Sequence, residues 1–323
     1  MDRLGSIEGA ERYRSLIDAH VENWIGALPS GRLYAPMSYL LRLPAKRVRP
    51  ALVLMGCELF GGRAEDALDE ALGIELFHNF TLMHDDIMDA APLRRGKPTV
   101  HAKWNTNAAI LSGDAMLVKA YQLMGKRADV LQLFSRYALQ VCEGQQHDMD
   151  FEQRTDVHVD EYVEMIRLKT AVLLSCALQI GACIAGAKAE DREHIGSFGE
   201  HLGLAFQLRD DLLDAFGDPT KTGKQKGGDL LAGKKTFLLI RGLELSAEQG
   251  RNELRDELKK PIAQRDLSRM LEVIDALGVH AEAQAEVLEH DRIAEQQLDA
   301  INTADERKGP LRALAASLLE RAH

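Results

Sequence analysis

Two short clusters of carboxylates are the residues best suited to chemistry. One reads Asp85-Asp86-Ile87-Met88-Asp89 and the other Asp210-Asp211-Leu212-Leu213-Asp214, each inside an apolar context, FHNFTLMHDDIMDAA and LAFQLRDDLLDAFG. On a helix, Asp85 and Asp89 stand one turn apart on the same face, as do Asp210 and Asp214. Like charges at that spacing repel, and Asp is a poor residue for a helix interior, so the pattern costs stability. Half-buried carboxylates need a partner or a cation. Oxygen-only donors with no His or Cys set beside them point to a hard divalent ion. Mg2+ comes first, held by few carboxylates together with substrate phosphate oxygens. A calcium loop does not fit, because no Asp-rich loop with a central Gly is present.

Positive charge gathers near these clusters. Lys46, Arg47 and Arg49 form one island, and Arg94, Arg95 and Lys97 a second. A third holds Lys221, Lys224, Lys226, Lys234 and Lys235, broken only by Asp229. Carboxylates for Mg2+ flanked by Arg and Lys suit a diphosphate: the metal bridges its oxygens, and Arg forks and Lys point charges neutralise the rest. Gly223, Gly227, Gly228 and Gly233 would let the third island fold over the phosphates. There is no GxxxxGK[ST] loop, which argues against P-loop chemistry. The chain as a whole is acidic, with 40 Lys plus Arg against 50 Asp plus Glu and a formal charge of -10. That balance disfavours nucleic acid. It does not disfavour a metal-bridged phosphate ester, since six of the acids lie in the two clusters.

Helices must position these groups. No proline falls between Pro98 and Pro219, and apolar residues recur there at three- and four-residue spacing with little strict alternation. The stretches AAILSGDAMLVKAYQLM, VLQLFSRYALQVCEG, DEYVEMIRLKTAVLLSCALQIGACIAG and IGSFGEHLGLAFQLRDDLLDAFG read as long helices, and 51–91 and 268–300 continue the pattern. The expectation is an all-α protein with a single domain over 1–323. Its least helical stretches are Pro29–Pro50, Ala91–His101 and Asp218–Lys235. The four cysteines are too scattered for a disulfide framework or a zinc site, which suits a reducing, cytoplasmic setting. The N-terminus shows no apolar signal segment. The apolar run Thr170–Ala187 contains Ser175, Gln179, Gly181 and Gly186 and follows Lys169, so it reads as a buried core helix rather than a stable membrane insertion.

At this point the chain resembles the trans-isoprenyl diphosphate synthases, the polyprenyl synthetase family that includes farnesyl and geranylgeranyl diphosphate synthases. The likeness runs from about Leu43 to Leu239. It rests on KRVRP at 46–50, HDDIMDAAPLRRGKPTVH at 84–101, EGQQHDMD at 143–150, LKT at 168–170, FQLRDDLLD at 206–214 and GK…GGDLLAGKKT at 223–236. The resemblance implies a large bundle of long, mostly antiparallel helices around a central active-site cavity (the isoprenoid synthase fold), usually as a homodimer. It implies that Asp85 and Asp89 hold two Mg2+ ions and that Asp210, with Asp214, holds a third. The allylic diphosphate would be clamped by Arg94, Lys169, Lys224 and Lys234, with Thr170 and Gln207 beside its reactive carbon. Lys46, Arg49, His78 and Arg95 match a metal-free pocket for isopentenyl diphosphate. Gln145 and Asp148 match residues near the metals, and Asp86 and Asp211 stand behind the ligands. The implied reaction is ionisation of the allylic C–O bond, attack by the isopentenyl double bond, and proton loss to the released diphosphate. One departure is clear: Pro44-Ala45 replaces the usual Gly pair before the basic segment.

In this family the growing chain runs along the helix that bears the first motif. Phe80, five residues before Asp85, would floor that tunnel beside Thr81. A bulky aromatic there resembles short-chain enzymes, so the expected product is farnesyl diphosphate (C15), with geranylgeranyl diphosphate (C20) as the alternative. A terpene cyclase would need no second diphosphate pocket and favours an aromatic-lined cavity, whereas aromatics are only 5% here. A non-catalytic subunit of a prenyl synthase typically loses one aspartate motif; both are intact.

Overall fold

Apolar spacing becomes helix nearly throughout the computed structural model, which describes residues 8–217 and 226–319. The order is α1 (Glu8–Gly26), α2 (Tyr34–Leu41), α3 (Val48–Leu59), α4 (Leu68–Met88), β1 (Leu93–Arg94), β2 (Lys97–Pro98), α5 (Val100–Lys103), α6 (Thr106–Met124) and α7 (Ala128–Gln153). Then follow α8 (Val159–Ile166), a π-helical turn (Arg167–Ala171), α9 (Val172–Ile184), α10 (Ala189–Phe216) and α11 (Gly228–Ala232). The chain continues as α12 (Phe237–Glu248), α13 (Glu253–Lys259), α14 (Leu267–Ala276), α15 (Val279–Ala300) and α16 (Asp305–Leu319). The all-α expectation holds. Ala91–His101, read as one of the least helical stretches, holds the antiparallel hairpin of β1 and β2 before α5 begins at Val100.

The described residues fall into two compact units, each discontinuous in sequence. One comprises 8–136, 176–195 and 302–314, the other 137–175, 196–217, 226–301 and 315–319. In the first, α4 is buried on nearly every side from Glu70 to Phe77 and packs along α6. Phe77 and Phe134 meet edge to face with ring centroids 5.2 Å apart, among the largest wholly buried side chains. Each such ring contributes roughly 1.5–3 kcal/mol by leaving water. In the second unit Phe151, Tyr162, Leu204, Leu208, Leu212, Phe237, Leu239, Leu254, Met270 and Ile274 form one core. Asn105 caps α6, its side chain accepting the Ala108 amide at 2.8 Å. Among the described residues one run, Val159–Ile184, is long and apolar enough to cross a membrane. Of its most apolar window 72% is buried inside the protein, as a core helix requires.

Candidate active site

The first aspartate cluster sits at the last turn of α4. The Asp89 amide donates to the Asp85 carbonyl at 2.8 Å, which places the two side chains one helical turn apart as their spacing predicted. Asp85 is half-buried and Asp89 exposed. A helix C-terminus carries partial negative charge, and this last turn has no basic residue to offset it. Two carboxylates close together at that end would be stabilised by a cation. Asp86 faces elsewhere and is buried. Arg94 on β1 donates to it through Nε at 2.9 and 3.0 Å, with Nη2 at 2.8 Å. Arg94, expected to clamp diphosphate, therefore first neutralises Asp86 and ties the hairpin to the end of α4.

The hairpin turns through Arg95 and Gly96, both left-handed with φ of 53° and 71°, the conformation of a type I′ turn. Holding a non-glycine residue there costs on the order of 1 kcal/mol, which suggests that the turn serves to aim Arg95. Arg47 is left-handed too, with φ of 52° at the start of α3. Its guanidinium is buried and fully engaged: Nε donates to Asp18 at 3.0 Å, Nη1 to Glu75 at 2.5 Å and Nη2 to the Leu41 carbonyl at 2.5 Å. Arg47 thus anchors the basic segment, leaving Lys46 exposed, while Arg49 donates from Nη1 to His78 Nε2 at 3.2 Å. Burial, followed by the charges of Arg49, Arg95, Arg94 and Arg47, holds His78 well below the ordinary imidazole pKa. It is neutral at pH 7. Burial also lowers the Arg49 pKa to about 10, and its Nε is buried without a hydrogen-bond partner. Burial and the neighbouring Arg47 and Arg94 lower Arg95 as well. Two guanidiniums whose charge burial disfavours, set around a neutral imidazole, make a cluster that an anion would stabilise. The structure brings Arg49, His78 and Arg95 together as the sequence implied, with Lys46 on the same segment.

The other cluster belongs to the second unit. Between α8 and α9 the backbone widens into the π turn, a rare device that is frequent at functional sites. Two glycines allow neighbouring helices to reach it. A Cβ at Gly144 of α7 would lie 2.3 Å from the Lys169 nitrogen, and one at Gly203 of α10 would lie 2.5 Å from the Ala171 Cα. The turn presents Lys169, whose Nζ donates to Asp148 at 2.5 Å, and Thr170, whose hydroxyl donates to Gln207 Oε1 at 3.3 Å. Gln207 Nε2 donates to Asp211 Oδ1 at 3.4 Å, and the Tyr162 hydroxyl donates to Asp211 Oδ2. These bonds orient the Gln207 amide with its oxygen toward Thr170. Burial pushes the Asp211 pKa up to about 7, and burial beside that carboxylate raises Tyr162 well above its ordinary value.

Asp210 and Asp214 are half-buried on α10. Asp214 Oδ2 accepts the Asp229 amide at 3.0 Å and its carbonyl accepts the Gly227 amide at 2.6 Å, so it also docks the segment leading into α11. Lys234 is exposed, and its charge acts to lower Asp211. Lys224, Lys221 and Gly223 lie outside the described residues. Among the described residues no three His, Cys, Asp or Glu side chains converge as a ready-made metal centre. Phe80 is half-buried on α4, and the Thr81 hydroxyl folds back to donate to the His78 carbonyl at 2.8 Å.

Sequence reasoning located the acids and bases but missed the hairpin, the π turn, the inward role of Arg47 and the Tyr162 contact. Arg95-Gly96 was a usable turn signal. The π turn carries no local signature, because the helices packed on it create it.

A family described as polyprenyl synthetase matches residues 30–274. The chain is 34% identical over 318 residues (97% of both chains) to the short chain isoprenyl diphosphate synthase of Methanothermobacter thermautotrophicus. It is 42% identical over 226 residues (67% of this chain, 68% of the relative) to the geranylgeranyl diphosphate synthase of Sulfolobus acidocaldarius. A crystal structure of a geranylgeranyl pyrophosphate synthase superposes with a TM-score of 0.90 at 42% identity, covering 97% of this chain and 99% of that one. The geranylgeranyl pyrophosphate synthase of Corynebacterium glutamicum, complexed with isoprenyl diphosphate and magnesium, superposes with a TM-score of 0.85 at 28% identity, covering 97% and 99%.

Proposed function

Since the chain belongs to the polyprenyl synthetase family and is a prenyltransferase acting on isoprenyl diphosphates, we propose that it condenses isopentenyl diphosphate head-to-tail with allylic diphosphates, makes mainly geranylgeranyl diphosphate and releases diphosphate. The observation that carries this reading is the cationic pocket of Arg49, His78 and Arg95, which is separate in character from the aspartates. A two-substrate condensation needs one diphosphate held through metal and another held without it. A cyclase has no use for the second.

In this reading Asp85, Asp89, Asp210 and Asp214 hold Mg2+, three ions with the allylic substrate in place. Mg2+ supplies Lewis acidity, drawing charge from the leaving diphosphate so that no proton donor is needed. Arg94, Lys169, Lys224 and Lys234 neutralise the remaining phosphate charge, and Lys169 is kept in place by Asp148 until substrate arrives. Gln207 Oε1 and the Thr170 hydroxyl offer the negative ends of their dipoles to the allylic carbon. Lys46, Arg49, His78 and Arg95 hold isopentenyl diphosphate. Neutral His78, with Nε2 occupied by Arg49, binds rather than takes a proton; the released diphosphate is the base.

A C20 product is favoured over the C15 that Phe80 alone indicated. Relatives of this length are named mainly as geranylgeranyl or geranylfarnesyl diphosphate synthases. Thr81 is small and its hydroxyl is turned onto its own helix, so it adds no bulk beside Phe80. A homodimer is part of the same reading, supported by Ile110, Leu111 and Val118, which expose an apolar strip on α6. So is a single domain, since the family match runs through segments of both units. Four unpaired cysteines support a cytoplasmic setting. Incubation of the purified enzyme with Mg2+, isopentenyl diphosphate and dimethylallyl diphosphate, followed by chromatography of the dephosphorylated products, tests the length. A dominant C20 alcohol is expected, and a dominant C15 alcohol would overturn the length assignment.

A further inference from the structure

Phe80 does not stand alone on α4. Its ring meets Phe77 one turn earlier, with centroids 5.7 Å apart at 48°, and His84 one turn later, with centroids 4.7 Å apart at 67°. Phe77 is wholly buried in its turn, set edge to face against Phe134 at 5.2 Å, which itself meets Tyr121 at 5.0 Å. Phe80 therefore has a rigid support on one side. Its freedom depends on the other side, where His84 stands.

His84 is seated against α6. Its Nε2 lies 3.3 Å from the Ile110 carbonyl oxygen and 3.9 Å from Asp114 Oδ1. The seat exists because residue 113 has no side chain: a Cβ at Gly113 would fall 2.3 Å from His84 Nε2 and 2.6 Å from its Cδ2. Two heavy atoms cannot approach so closely, so any larger residue at 113 must evict the imidazole. The ring is thus held by a hydrogen bond to a carbonyl and by the shape of the neighbouring helix, and it meets the Phe80 ring edge to face.

We propose that His84, seated by Gly113, is the positioning residue that holds Phe80 across the path of the growing chain, so that product length is set by a braced pair rather than by one aromatic side chain. The proposal rests on the reading of Phe80 as the floor for a C20 product. A floor must resist the push of one more isoprene unit, and a free phenyl ring on a helix has other staggered rotamers to retreat to. Removing the imidazole opens such a rotamer. His84 needs no change of charge for this role; it acts through the face and edge of its ring.

The test is the ratio of products longer than C20 to C20 itself, measured with labelled isopentenyl diphosphate and farnesyl diphosphate for four variants. This ratio compares products made by the same molecules, so it is insensitive to a general loss of turnover, which is expected because His84 adjoins Asp85. Differences of one packing contact in an apolar pocket shift selectivity by roughly ten- to a hundredfold at most. On that scale Phe80→Ala should raise the ratio about tenfold and His84→Ala about threefold. His84→Phe, which restores a ring at the same place, should return the ratio to that of the parent. Gly113→Ala, which leaves His84 in the chain but evicts it from its seat, should shift the ratio without any change at the floor itself. A parental ratio in both His84→Ala and Gly113→Ala, with Phe80→Ala still raising it, would overturn the brace and leave the floor standing. A parental ratio in Phe80→Ala would overturn the floor, and the brace with it.

Discussion

The two aspartate clusters share a pattern of letters and differ in how their middle residue is satisfied. Asp86 is buried and paired to a full cation, Arg94, through three contacts of 2.8 to 3.0 Å. Asp211 is also buried; among the described residues its hydrogen-bond donors are the neutral Tyr162 and Gln207, with the charge of Lys234 acting on it as well, and burial pushes its pKa to about 7. At the first cluster the middle aspartate anchors a hairpin that carries Arg95. At the second it anchors a side chain, Gln207, that faces Thr170 on the π turn. The middle aspartate is thus hydrogen-bonded once by a charged donor and once by neutral ones. The outer aspartates are the residues proposed for metal, and at the second cluster Asp214 also accepts the Asp229 amide of α11.

That contrast can be tested from its strongest consequence downward. Asp85→Ala should lower kcat by about a thousandfold or more, because a lost metal contact removes several kcal/mol of stabilisation from the departing diphosphate. Steady-state assays at saturating Mg2+ check this, and Asp86→Ala should cost less activity than Asp85→Ala. In stability the order reverses. Asp86→Asn leaves Arg94 partly buried without its counter-ion and should cost about 2 kcal/mol in denaturant unfolding, below the figure for a wholly buried pair because Arg94 keeps some contact with water.

Asp211→Asn should behave in the opposite way. A carboxyl whose folded pKa lies near 7, against 3.8 when exposed, binds more protons folded than unfolded between those values. Its contribution is therefore fully present below pH 4 and is lost as pH rises toward 7. Over that window the metal-free parent should lose roughly 2 to 4 kcal/mol from this group, and the Asn variant should lack that slope. Equal pH slopes in parent and variant would show that the burial of Asp211 is compensated by charge after all. The smallest effect belongs to Tyr162→Phe, which removes one donor to Asp211 and should cost about 1 kcal/mol of stability with little change in the KM for isopentenyl diphosphate.

The difference between the clusters was only half visible in the sequence. Helical spacing placed Asp85 with Asp89 and put both on a long helix, and the basic islands marked where positive charge gathers. Local pattern suffices for these because they depend on periodicity and on residue type, whereas the grouping of Lys46, Arg49, His78 and Arg95 came from the likeness to the polyprenyl synthetases. Arg47 was one of a basic island with Lys46 and Arg49, yet it turns inward to Glu75 from a left-handed backbone that no neighbouring residue announces. The π turn at Lys169 depends on Gly144 and Gly203 approaching from two other helices, so only the packed structure contains it. Phe80 was read as a lone ring and gave a C15 expectation; its neighbours Phe77 and His84 and the folded-back Thr81 are what make its position interpretable.

The central claim is that one diphosphate is bound through metal and the other without it. Calorimetric titration of isopentenyl diphosphate into the enzyme in EDTA, repeated with Arg49→Ala, tests this most directly. The account predicts binding by the parent in the absence of metal and its loss, by about tenfold or more in Kd, in the variant. Isopentenyl diphosphate that binds only once Mg2+ is added, and binds Arg49→Ala as well as the parent, would contradict it.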